Sequence, residues 1–173
     1  MFFGCAAVIA GCGADAASDA PVTSRNLADV CQRDTYFTRA PAAAASPPRP
    51  IQVFAEQHDG RFMHELIPQA GDEWRSSDAS GAQLVACAKR IDEGRKVKEC
   101  VFDRGASVGL YAARYRVTVY ETKTREQRKV AEIQATGYGC PTLVFFRGGD
   151  DAKLYARIRP EQYVTALRDQ VQG

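Results

Sequence analysis

The chain has 173 residues, a formal net charge of +2, 45% apolar residues and 25% charged residues. That is the composition of one globular domain with extensions, and a charge so close to zero implies no nucleic-acid partner. Two histidines and one tryptophan leave little material for imidazole chemistry, and no cofactor is implied.

The first stretch is MFFGCAAVIAGC. Its apolar run, Phe2 to Ala10, is far shorter than the ~20 residues that span a bilayer, so it reads as the core of a signal peptide. The small residues Ala10 and Gly11 precede Cys12, and the chain then becomes GADAASDAPVTS, the composition of a flexible tether. Ile9-Ala10-Gly11-Cys12 resembles the lipobox of bacterial lipoproteins. One departure from that pattern is that MFFG carries none of the basic residues that usually open a signal peptide. The resemblance implies removal of residues 1–11 and a diacylglyceryl group on the Cys12 thiol. It further implies a cell-membrane location on the extracytoplasmic side. Two acyl chains are enough for stable anchoring.

Six cysteines occur, at positions 5, 12, 31, 87, 100 and 140. With Cys5 removed and Cys12 lipidated, Cys31, Cys87, Cys100 and Cys140 remain, an even set in an oxidising compartment and therefore a disulfide framework. QLVACAKRIDEGRKVKECVF reads as two strands around a turn near Asp92-Glu93-Gly94. A symmetric hairpin there sets Cys87 opposite Cys100 and leaves Cys31 for Cys140. No Cys-x-x-Cys is present, and the spacings match no common zinc framework. His58 and His64, with Glu56 or Glu65, are the remaining candidate ligands; six residues apart across a turn, they read as surface residues, and no metal is expected.

Residues 13–30 read as tether, and the Pro- and Ala-rich APAAAASPPRP over 40–50 reads as a long loop. This gives residues 1–11 as signal peptide, 12–50 as tether and linker, and 51–173 as the globular domain. IQVFAEQ alternates as a strand, His58-Asp59-Gly60 turns it, and RFMHELI returns. Trp74 is the one large apolar residue of the loop that follows and is expected to pack inward. LYAARYRVTVYETKT is the strongest strand signal, with Tyr115, Val117, Val119 and Glu121 on one face and Arg116, Thr118 and Tyr120 on the other. KTREQRK turns it into VAEIQATG, and CPTLVFFRGGD and KLYARI follow as strands. RPEQYVTALRDQVQG changes period: Pro160 suits the first helical position, and Tyr163, Leu167 and Val171 form one apolar stripe. The expected fold is therefore mostly β (α+β), an antiparallel sheet of hairpins with a C-terminal helix packed on it and two disulfides. Through QLVACAKR, YRVTVYETKT and LYARIRPEQYVTALR the body resembles secreted lipoproteins of high-GC Gram-positive bacteria, a resemblance that implies no particular activity.

Two functional readings follow. Between Lys89 and Lys129 there are twelve Lys/Arg and six Asp/Glu, with Tyr111, Tyr115 and Tyr120 among them. If the two hairpins share a face, Arg114, Arg116, Lys123 and Arg128 offer a basic surface to envelope proteins or anionic envelope polymers. The balance favours a non-enzymatic binding module of the cell envelope. The alternative is an envelope enzyme using Cys140-Pro141, because GCPTLVFFRGGDDAKLYARIRPEQYVTALRDQV resembles the last third of a thioredoxin-like fold, in which Pro141 stands where that family has a cis-proline. The redox Cys-x-x-Cys of that family is missing here. Serines such as Ser46, Ser76, Ser77, Ser80 and Ser107 lie in loop-like sequence without a nucleophile elbow. The pairs Asp72-Glu73 and Asp150-Asp151 read as solvated turns, and Gly148-Gly149 lacks the Lys-Ser/Thr of a phosphate cradle.

Overall fold

A computed structural model describes residues 15–68, 70–74, 78–102, 106–142 and 152–173. The lipobox with Cys12, Ser76 and Ser77, most of the strand expected over CPTLVFFRGGD with its Gly148-Gly149, and the pair Asp150-Asp151 lie outside those residues. The chain is α+β, built around one six-stranded sheet and a C-terminal helix.

In chain order the elements are β1 (Ala16–Ser18), α1 (Asp29–Gln32), β2 (Thr35–Phe37), β3 (Ile51–Glu56), β4 (Phe62–Glu65), β5 (Leu84–Val101), β6 (Ser107–Glu121), β7 (Gln127–Gln134), β8 (Lys153–Tyr155) and α2 (Pro160–Val171). The sheet runs β4-β3-β5-β6-β7, with β8 against the early part of β6. The hairpins β3–β4, β5–β6 and β6–β7 are antiparallel as expected, whereas β3–β5 and β6–β8 are parallel, so the sheet is mixed.

β6 forms because its alternation matches the pleat: Tyr115, Val117, Val119 and Glu121 are all buried on one face. α2 covers that face with Tyr163, Leu167 and Val171, and Trp74 packs into the same cluster. Pro160 sits at the helix start. Gln162 accepts from the Arg159 amide at 3.1 Å and donates to the Gln134 carbonyl at 2.7 Å, tying the first turn to the end of β7. β5 alternates in the same way: Leu84, Ala86 and Ala88 join the α2 cluster, whereas Val85 and Cys87 join a second cluster on the opposite face.

That second cluster corrects the tether expectation. Val22, Leu27, Val30, Phe37 and Ala40 are buried against Phe54, Val85 and Cys87, so residues 15–40 form a third layer. Short turns build it, including the reciprocal bonds between Thr23 and Asn26 (2.8 and 3.3 Å). Its apolar residues follow neither a helical nor a strand period, which is why composition alone reads as tether. The Pro/Ala-rich loop is irregular, as expected, but firmly tied. Arg49 donates to the carbonyls of Ala44, Ala45 and Gln170, and its amide donates to Val171 at the end of α2.

The turn expected at Asp92-Glu93-Gly94 is absent. β5 continues through it to Val101, with register shifts after Arg90, Glu93 and Lys96, and Gly94 serves a close approach: a Cβ there would lie 3.0 Å from that of Ala112. The chain reverses further on, where the Phe102 amide donates to the Ala106 carbonyl at 2.8 Å. Cys87 and Cys100 are therefore 13 residues apart on one strand, on the order of 40 Å, far beyond the reach of one bridge. The expected pairing is corrected accordingly. Cys31 is bonded to Cys87 (Cα–Cα 5.4 Å) and Cys100 to Cys140 (5.6 Å). The first bridge bolts the N-terminal layer to the sheet. The second closes a small cluster of Cys100, Val108, Leu110 and Leu154 at the far end of the ribbon.

Candidate functional site

The four expected basic residues do not form one surface. Arg114 and Arg116 project from the same face of β6, and both pair with Glu132 on β7, at 3.5 and 3.1 Å; Arg114 also meets Asp92 at 3.2 Å. Arg128 pairs with Glu121 at 3.1 Å and Glu126 at 3.6 Å. Lys123 is exposed in the β6–β7 turn and makes no ion pair with a described residue. Carboxylates from outside the counted stretch offset its charge excess: Glu132 on Arg114 and Arg116, Asp169 on Lys129, and Asp15 and Asp34 on Arg125. Tyr115 is buried, its hydroxyl donating to the Ala156 carbonyl at 3.1 Å, so it is not part of any exposed face.

Two polar groupings emerge that the sequence did not single out, one at the near end of the β5–β6 ribbon and one midway along it. At the near end Arg125 holds positive φ (60°) in the β6–β7 turn. It reaches back to the start of the described chain, with Nη1 on Asp15 at 2.6 Å, Nη2 on Asp34, and the guanidinium 4.6 Å from the Tyr120 ring. Beside it the Glu121 carboxylate accepts from the Ala43 amide (2.8 Å), Thr124 (3.0 Å) and Arg128 (3.1 Å). Burial pushes this carboxyl up, and the three donors more than offset it, leaving it below the ordinary carboxylate range.

A prediction arises here. Glu121→Gln keeps the shape but turns an amide donor toward either the Ala43 N–H or the Arg128 and Thr124 donors, and it costs about 1–3 kcal/mol. The wild-type advantage is complete above the unfolded-state carboxyl pKa of about 4.3 and shrinks as pH falls through the depressed folded value. Urea titrations of both proteins at pH 7 and at pH 3 check this; a difference that does not narrow in acid removes the charge from the explanation.

Midway along the ribbon Arg90 lies 3.6 Å over the Tyr155 ring, and Glu93 accepts from Lys153 (2.7 Å) and the Tyr155 hydroxyl (3.0 Å). Lys153 is 5.0 Å from the Tyr111 ring centre, and the two tyrosines tilt together at 6.5 Å. Gly109 makes room for this packing, since a Cβ there would lie 2.9 Å from the Tyr111 ring.

The residues weighed for metal and redox chemistry are engaged otherwise. Glu56 accepts from the Arg90 amide at 2.9 Å, and Glu65 pairs with Arg157 at 2.5 Å. The His64 ring tilts against Phe54 at 5.5 Å, and burial holds its pKa below the ordinary value. Among the described residues no group of three or more His, Cys, Asp or Glu side chains is placed to hold a metal. The Cys140 sulfur is committed to Cys100. The cis peptide among the described residues is Pro47–Pro48, which corrects the expected cis geometry at Pro141. No described helix is long and apolar enough to cross a membrane. In comparisons with known proteins, no family model, no curated protein and no solved structure matches this chain.

Proposed function

We propose that this chain is a lipid-anchored, extracytoplasmic binding module of the cell envelope, attached through Cys12 and acting without catalysis on envelope proteins or anionic envelope polymers. The observation that carries the reading is that all four cysteines from Cys31 onward are paired. Two structural bridges fit an oxidising compartment, where small domains use them to supplement a limited core. The lipobox-like Ile9-Ala10-Gly11-Cys12 supplies the anchor in this reading, and the mixed-charge sheet surface supplies the contact area.

The intact mass of the protein recovered from the membrane fraction, before and after reduction and alkylation, tests address and framework together. A chain beginning at Cys12 with diacylglyceryl attached, whose four remaining cysteines alkylate only after reduction, is expected. A soluble chain that retains residues 1–11 and alkylates without reduction overturns the reading.

A further inference from the structure

We propose that the β6–β7 turn end of the sheet rests on the phospholipid headgroups, with the β5–β6 ribbon carrying its far tip away from the membrane. The inference rests on lipid attachment at Cys12 and adds to it which surface meets the bilayer.

The geometry comes from Arg125. Asp15 is held to it at 2.6 Å, and the Ala16 amide donates to the Asp34 carbonyl at 3.1 Å, while Asp34 is itself paired with Arg125. The N-terminal segment is thus fixed beside the turn that joins β6 to β7. Only three peptide links separate Asp15 from Cys12, a leash of at most about 11 Å. A lipid on Cys12 therefore keeps this turn within about one leash length of the headgroups. From Glu121 at this end to Ser107 at the other, β6 spans about 45 Å. The tip, where Val101 pairs with Ser107 and Cys100 with Cys140, is the part most distant from the anchor along the strand.

Charge does not drive the contact. Lys123, Arg125 and Arg128 at this end face Asp15, Asp34, Glu121 and Glu126, three cations against four carboxylates. The leash, not charge, keeps this turn at the headgroups, so the contact persists on zwitterionic lipid and in high salt.

The test uses the full lipidated chain in phosphatidylcholine vesicles carrying a dansyl-labelled headgroup lipid. Lys123→Trp and Val101→Trp place a donor at exposed positions of the two ends, and the contribution of Trp74 is subtracted with the parent protein. Energy transfer at 123 is expected to exceed that at 101 by about fivefold or more, given the ~45 Å between the ends, and to be unchanged between 0.1 and about 1 M salt. Equal transfer at both ends, transfer greater at 101, or a signal at 123 abolished by salt overturns the orientation. The mass of the same preparation separates the two failures: a chain with no lipid on Cys12 overturns the anchor reading, whereas a lipidated chain with the wrong transfer pattern overturns this inference alone.

Discussion

Replacing Cys31 and Cys87 together by alanine lowers the unfolding free energy by about 4 kcal/mol, the chain-entropy value for a loop of this length. The bridge closes 56 residues, so its loss gives the unfolded chain freedom that the folded state must then overcome. The effect is also local. Cys87 sits within the cluster formed by Leu27, Val30, Phe37 and Val85. Without the bond the N-terminal layer is held by its own burial, by Arg125, and by the hydrogen bonds from the Phe37 amide to the Thr122 carbonyl and from the Phe62 amide to the Gln32 side chain. Guanidinium titration of the double variant measures the loss, and limited proteolysis locates it: cleavage within residues 15–40 should precede cleavage of β5 or β6. A loss below about 1 kcal/mol would mean that the reduced layer stays packed unaided, and that the bridge is incidental.

Leu27→Ala is expected to cost about 2–5 kcal/mol, the range for deleting a fully buried leucine. The side chain is completely buried, yet it lies in a stretch whose composition reads as an exposed tether. The two pictures differ sharply, because an exposed substitution would change stability by no more than about 0.5 kcal/mol. Leu167→Ala, equally buried on the opposite face of the sheet, provides the comparison. If both variants lose similar stability in one cooperative transition, the N-terminal layer and the helix belong to a single folding unit. A neutral Leu27→Ala would return residues 15–40 to the role of tether.

What the sequence made legible was what local periodicity encodes. The alternation of Tyr115, Val117 and Val119 and the four-residue spacing of Tyr163, Leu167 and Val171 lead directly to β6 and α2. His58-Asp59-Gly60 gives the β3–β4 hairpin, with Gly60 at φ 79° as its turn requires. The failures share a cause of the opposite kind. Asp92-Glu93-Gly94 has the chemistry of a turn, but a turn and a run of bulges draw on the same residues, and only pairing with β6 distinguishes them. The wrong turn then carried the wrong disulfides. The local excess of basic residues is offset in space by Glu132, Asp169, Asp15 and Asp34, which lie outside that stretch of the chain. Arg125 left no sequence signal either, since its partners are 110 and 91 residues away.

The order of the two bridges bears on how the chain is made. Cys31 joins Cys87 and Cys100 joins Cys140, so the two loops follow one another along the chain and never enclose each other. For a polypeptide emerging N-terminus first, Cys31 and Cys100 each meet their mate as the next of these four thiols to appear. An oxidant that joins thiols in order of arrival produces the native set directly, with no need for an isomerase to reshuffle bonds. The enclosed arrangement, Cys31 with Cys140 around Cys87 with Cys100, would instead keep the Cys31 thiol waiting until Cys140 had emerged. The topology of the crosslinks thus matches the direction of synthesis.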